Sequence, residues 1–245
     1  MSPNIAKPCR YPCTLLLMCC AVVAEPAKAP PVDETLALYI QALGGQAAID
    51  RITTRELEIQ GPHSKATLFW EAPDKVLRVA HEREGFDGTG AGWSETKKKK
   101  VKKLPKAVRD ELETDANPIR YARLKAMYGD LEPGPSAIID SKSMDVIIAP
   151  NNIGSTKFYF DATDHLLVRI EELGLTSAYY KYTIDFSDYR AVDGIQLPYT
   201  IHRSSEEPGL ENGTVRVLKV KQNVPLNASI FSKPNIGAVV SGGKR

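Results

Sequence analysis

The sequence predicts a mainly β, α+β fold: a single strongly curved antiparallel sheet, a half-open barrel with helices covering its concave face. Three observations carry this. The stretch from Tyr179 to Phe186 alternates, with Tyr180, Tyr182, Ile184 and Phe186 on one side and Lys181, Thr183 and Asp185 on the other. That is the period of a strand with one apolar and one wetted face. About ten segments of this kind are joined by short turns containing Gly, Pro or Asp, as in antiparallel architectures. Helical patterns occur only near the start and the middle of the chain, too few to flank a parallel sheet but enough to cover one face of an antiparallel one. A long sheet tends to curl, and a curled sheet with helices in its mouth surrounds an apolar hollow.

Taken in order, residues 25–32 are rich in Pro and Ala and read as a flexible lead. Asp33 is placed to cap a helix whose stripe is Leu36, Tyr39, Ile40 and Leu43, the i, i+3, i+4, i+7 spacing. Gly44-Gly45 ends it, because glycine accepts the left-handed conformation at a helix C-terminus. A short helix over 46–51 follows. Leu57 and Ile59 mark a first strand, Ala66, Leu68 and Trp70 a second, and Lys75 to Glu82 a third. Gly85 to Gly88 reads as a turn, with a fourth strand starting at Gly92-Trp93-Ser94. After a lysine run, Pro105 suits the first turn of a helix carrying Leu104, Val108 and Leu112. Asn117-Pro118 interrupts it, and a second helix carries Tyr121, Leu124 and Tyr128 as far as Gly129. Strands return with Met144, Val146 and Ile148, then Phe158 and Phe160, then Leu166, Val168 and Ile170. The Tyr179–Phe186 strand leads to an Asp193-Gly194 hairpin turn, which asks for positive φ. A last strand covers Thr214 to Lys221. The pattern gives one domain over 33–234 and a disordered tail over 235–245.

The N-terminus reads as a targeting segment. Lys7 and Arg10 form a basic region before the apolar run Thr14 to Ala24. That run is shorter than the ~20 residues a bilayer requires, and Val22 and Ala24 suit a cleavage site after Ala24. The expectation is therefore a signal peptide over 1–24 and a periplasmic or secreted protein. Lipid anchoring through Cys19 or Cys20 is disfavoured, because Met18 or Cys19 stands where a small residue is needed. All four Cys (Cys9, Cys13, Cys19, Cys20) precede the expected cut, so the remainder needs no disulfide and offers no thiol. Removing the two basic residues of 1–24 from the chain's 32 leaves 30 against 30 acidic residues. That balance argues against a nucleic-acid binder.

Several of these pieces together resemble a known family. Phe86-Asp87-Gly88 followed by Trp93 is similar to a strand of the outer-membrane lipoprotein-sorting proteins, the LolA/LolB-like group. So are Phe160-Asp161 leading to Leu166-Leu167-Val168-Arg169, and Asp188-Tyr189-Arg190 followed by Val192-Asp193-Gly194 and Leu197-Pro198. Asn223, Pro225-Leu226, Phe231 and Pro234 complete the set. The resemblance spans about Asp33 to Pro234 and rests on order and spacing, since no one motif is specific. It implies a divergent bacterial member: a half-open barrel with a helical lid and no catalytic use of the hollow. Members of the group carry lipoprotein acyl chains across the periplasm or sense envelope lipoproteins. Where the carrier has a basic residue that helps hold its lid, this chain has Ala72 before Pro73.

Sites follow from these two lines. Leu68, Trp70, Trp93, Phe158, Phe160, Tyr180, Tyr182, Ile184 and Phe186 are the expected hydrophobic hollow, since ligand pockets are lined mostly by apolar and aromatic side chains. The alternative is that these rings are sealed core. Leu36, Tyr39, Ile40, Leu43, Val108 and Leu112 are the expected lid faces. Lys97, Lys98, Lys99, Lys100, Lys102 and Lys103 could meet anionic headgroups, each worth about 1 kcal/mol at such a surface. The favoured reading is a solvated hairpin or loop that discourages edge pairing, since such runs are commonly just solvated. The four His are scattered, and His81-Glu82 lacks the second His of a zinc-protease helix. Asp161, Asp164 and His165 stand where a turn wants polar residues anyway. There is no G-x-S-x-G elbow and no phosphate-binding glycine loop. Glu171 and Glu172 point to opposite faces of one strand. The expectation is a non-catalytic binding protein for a lipid or lipoprotein acyl chains, with no metal or cofactor. An envelope sensor or protein-interaction module and a secreted hydrolase are the alternatives.

Overall fold

The computed structural model describes residues 29–151, 154–175, 179–207 and 212–234. The expected signal peptide, Cys19 and Cys20, and the tail from 235 lie outside the described residues.

The strands form one 13-stranded, wholly antiparallel sheet that does not close. The first six strands are β1 (Thr54–Gln60), β2 (Lys65–Glu71), β3 (Lys75–Val79), β4 (Arg83–Phe86), β5 (Trp93–Glu95) and β6 (Val101–Lys103). The other seven are β7 (Glu132–Ile139), β8 (Lys142–Asn151), β9 (Gly154–Asp161), β10 (Leu167–Leu175), β11 (Tyr179–Val192), β12 (Ile195–Ser205) and β13 (Gly213–Gln222). Each set is a meander, and the order β6-β5-β4-β3-β2-β1-β13-β12-β11-β10-β9-β8-β7 joins them at a β1–β13 seam. The chain must therefore travel from the β6 edge to the β7 edge, at opposite ends of the sheet. It crosses the concave face, and the crossing is helical: α3 (Lys106–Ala116), a 3₁₀ turn (Arg120–Arg123) and α4 (Leu124–Tyr128). The N-terminal α1 (Val32–Ala42) and α2 (Gln46–Asp50) lie on the same face.

The local chemistry explains the boundaries. Pro31, not Asp33, occupies the N-cap of α1, and no side chain caps it; Asp33 lies in the first turn, where its charge suits the helix dipole. Gly44 ends the helix region at φ 119°, and a Cβ there would stand 2.1 Å from the Gly194 carbonyl oxygen. The end of α1 thus rests on the β11–β12 hairpin, whose turn takes Asp193 and Gly194 at φ 49° and 80°, as a two-residue hairpin requires.

Three features differ from the sequence reading, while the lysine run takes the hairpin form that one of its two readings expects. Lys75 to Glu82 is not one strand, because a turn closed by Ala80 N–H to the Glu82 carbonyl (3.0 Å) separates β3 from β4. The lysine run makes the β5–β6 hairpin, with Lys99 at φ 59° in its turn, and β6 is an edge strand of only three residues. Strand β7 contains Pro133 and Pro135, which argue against a central strand but are tolerated at an edge beside the irregular pairing between Gly134 and Ala137. Finally, Leu166, Val168 and Ile170 do not share a face. A register shift between Leu167 and Arg169 turns Leu167 and Ile170 inward together and leaves Val168 on the other side.

The core divides by sheet face. The main cluster lies between the concave face and the helices. On the convex face, Leu77, Trp93 and Phe231 form one cluster and Met144, Val146 and Tyr159 another. The first is closed by the C-terminal 3₁₀ turn Ala228–Phe231, with the Trp93 indole N–H donating to the Phe231 carbonyl at 2.9 Å.

Candidate ligand hollow

Most of the expected hollow is packed shut. Leu68, Phe158, Phe160 and Phe186 are buried with Leu36, Tyr39, Leu43 and Leu112 in the main cluster, where the sealed-core alternative describes them better. Ring contacts lock this region: Tyr39 meets Phe160 at 5.1 Å between centroids, and Tyr128 meets Phe158 at 5.2 Å. Tyr121 meets Phe186 at 6.0 Å. Trp70 is buried with the Arg55 guanidinium 5.4 Å from its ring centroid. Trp93 is a correction: it lies on the convex face over Gly85, where a Cβ would approach its ring to 2.6 Å. Ile40 is only half-buried, unlike Leu36, Tyr39 and Leu43.

An open hollow of about 650 Å³ remains at one end of the concave face, between α3 and strands β10 to β13. Its apolar wall is Tyr180, Tyr182 and Ile184 of β11, with Val108 of α3, Tyr121 and Val215. Three of the expected hollow residues and one lid residue therefore meet there. The volume falls within the range of small-molecule sites, about 300–1,000 Å³. A smaller recess of about 270 Å³ adjoins it and shares Arg78 and Glu111 in its lining.

The lining also carries charged side chains. Asp110 and Glu111 reach it from α3, Glu172 from β10 and Arg203 from β12. Arg203 is buried and donates to Asp115 at 2.7 Å. Burial alone would lower its pKa, but the facing carboxylates of Asp115 and Glu111 outweigh this and raise it. Arg78 is held by Glu84. Glu111 and Glu172 make no hydrogen bond or ion pair among the described residues. Burial pushes the pKa of each carboxyl up; nearby Arg203 opposes this for Glu111, and Asp110 adds to it for Glu172. Burial also pushes Tyr182 up to about 12.

Of these charges, only the separation of Glu172 from Glu171 is expected from the sequence, although an alternation signal exists for both Glu172 and Arg203. Ile170 and Glu172 share a parity on β10, as do Ile201 and Arg203 on β12, so each charge continues an inward row. The predicted split of Glu171 from Glu172 holds: Glu171 accepts from the Tyr159 hydroxyl at 2.8 Å and pairs with Lys181 at 2.7 Å on the convex side. Glu111 and Asp115 carried no comparable signal, because the inward face of α3 depends on how the crossing segment lies on the sheet.

Ala72 stands exposed in the β2–β3 turn. The tie between this turn and the helical cover runs instead from Arg123 to Asp74, at 3.1 Å. Asp161 is engaged by Lys142 at 2.7 Å. Among the described residues, no group of three or more His, Cys, Asp or Glu is placed to hold a metal ion, and no helix is long and apolar enough to cross a membrane.

No protein-family model matches the sequence, and no curated protein matches it. Solved structures do match the fold. A domain from Vibrio parahaemolyticus assigned to outer-membrane lipoprotein sorting is 10% identical, with a TM-score of 0.56 over 81% of this chain and 96% of that one. A DUF1329 family protein from Desulfovibrio piger is 11% identical, with a TM-score of 0.57 over 82% and 97%. A LolA superfamily protein from Nitrosomonas europaea is 12% identical, with a TM-score of 0.53 over 84% and 99%. At these identities the likeness is one of fold, and the fold is that of the LolA-like half-barrel.

Proposed function

We propose that this chain is a binding protein of the cell envelope that holds the acyl part of a lipid or lipoprotein in the hollow beneath α3. The observation that carries the reading is the open space itself. It is walled by Tyr180, Tyr182, Ile184 and Val108, at one end of a concave face whose centre is packed shut. Burying methylenes there contributes about 0.8 kcal/mol each, against the costs of ordering and association. The lipoprotein-sorting assignment of the Vibrio domain and the targeting character of 1–24 support the same reading. Lys97 to Lys100, with Lys102 and Lys103, are exposed on the β5–β6 hairpin, and we assign them a supporting contact with anionic headgroups.

The test is uptake of a neutral reporter, N-phenyl-1-naphthylamine, whose fluorescence rises in apolar surroundings. The protein should take it up and release it when decanol is added. Tyr182→Asp should weaken uptake at least tenfold with the far-UV circular dichroism unchanged. No uptake by the wild type, or equal uptake by a folded Tyr182→Asp variant, overturns the reading.

A further inference from the structure

The hollow has an unbalanced charge pattern. Both of its arginines are already matched, Arg203 by Asp115 at 2.7 Å and Arg78 by Glu84. Asp110 is engaged from its own helix by Lys106 and Arg109. Glu111 and Glu172 are left half-buried in the lining with no hydrogen bond or ion pair among the described residues. A carboxylate withdrawn from water with no partner is costly unless something supplies a charge or a donor. The same space is bordered by three tyrosines, Tyr121, Tyr180 and Tyr182. Aromatic rings attract cations, and quaternary ammonium groups are recognised by such rings together with acidic side chains. An anionic head would meet the opposite situation: two unpaired acids, and arginines that would have to leave existing partners.

We propose that the hollow selects amphiphiles with an amine or quaternary ammonium head, held between Glu111 of α3 and Glu172 of β10 and beside Tyr180 and Tyr182, with the alkyl chain along Ile184 and Val108. This deepens the proposed function and rests on the hollow taking an alkyl chain. The head group is thus read by charge on the lining, and the chain by apolar area.

The test is calorimetric titration of the full chain at pH 7 with three ligands of equal chain length below their micelle concentrations: decyltrimethylammonium, decanol and decanoate. The ammonium should bind at least tenfold more tightly than decanoate, with decanol between them. In Glu111→Gln/Glu172→Gln, the ratio of ammonium to decanol affinity should collapse towards one. The single variants should each give an intermediate ratio, which guards against a double variant that fails to fold. Decanoate binding as tightly as the ammonium overturns the selectivity while leaving the hollow's alkyl binding intact. An unchanged ratio in the folded variants overturns the roles of Glu111 and Glu172. If none of the three ligands binds, the reading of the hollow fails, and the selectivity with it.

Discussion

At the scale of single residues, the charges on the concave face have the largest individual consequences. Arg203 and Asp115 are both buried and 2.7 Å apart, so truncating one strands the other in a poorly solvated place. Asp115→Ala should cost about 3–5 kcal/mol, measured by urea denaturation. Glu111 and Glu172 act in the opposite sense. Burial raises each folded-state pKa above the ordinary 4.5, so the folded state holds their protons more tightly than the unfolded chain. Their favourable contribution is complete below about pH 4.5 and is lost as pH rises through the folded-state values. Glu172→Gln should therefore raise the Tm at pH 7 to 8 and change it little at pH 4, as read by thermal scans at both. A gain of the same size at both pH values would remove ionisation as its cause. Part of this was legible in the sequence: Arg55, Glu172 and Arg203 each continue an inward apolar row, with Leu57, Ile170 and Ile201 as neighbours in parity. Arg55 is fully buried against Trp70, and burial brings its pKa down to about 10. The partner that stabilises Arg203 was not legible, because Asp115 lies 88 positions away on a helix whose orientation only the tertiary fold determines.

At the scale of elements, alternation predicts strands well where both faces have distinct solvents and poorly where the ladder is irregular. The Tyr180 to Phe186 part of β11 and the Asp193-Gly194 turn follow the sequence pattern, because polar and apolar residues alternate there and the turn residues accept positive φ; beyond it the parity changes at Asp188, at φ 56°, which brings Tyr189 to the main cluster. The β9–β10 pair departs from it because a shift of register exchanges the faces of Leu167 and Val168, and alternation contains no sign of an inserted residue. Strand β7 was hidden by its prolines, which exclude a central position but not an edge. Its counterpart at the other edge, β6, is short and lysine-bearing, and both edges are thereby poor templates for another strand. The junction of α1 with the β11–β12 hairpin is tight enough to test. Gly44→Ala forces a Cβ against the Gly194 carbonyl at a positive φ. It should cost at least about 1 kcal/mol. Thermal unfolding should show that as a drop of at least about 2–4 °C in Tm for a chain of this length.

At the scale of the whole molecule, topology explains why a cover exists and why it leaves one end open. The first and last strands pair in mid-sheet, so the chain has to cross from one edge of the sheet to the other. Asn117-Pro118 interrupts that crossing, dividing it into α3 and the following 3₁₀–α4 pair. The 3₁₀–α4 pair and α1 fill the centre with Tyr121, Tyr128 and Tyr39 against Phe158, Phe160 and Phe186. The outer face of that packing, from Val108 to Arg203, is where space remains. Sequence parity identifies the whole inward row but not which part of it a helix covers, since coverage depends on helix length and path. Hydrogen exchange should reveal this division. The amides of the β1–β13 seam should be the most protected and those of β4 to β6 and β7 the least, because stability falls towards sheet edges with fewer packed neighbours. Adding decanol should slow exchange in α3 and in Tyr180 to Ile184 of β11, while α1 and its contact with β12 should not change. Protection arising first in α1 would mean that the alkyl chain enters the centre of the barrel by displacing that helix, and the hollow beneath α3 would then be a by-product of packing rather than the place where the ligand sits.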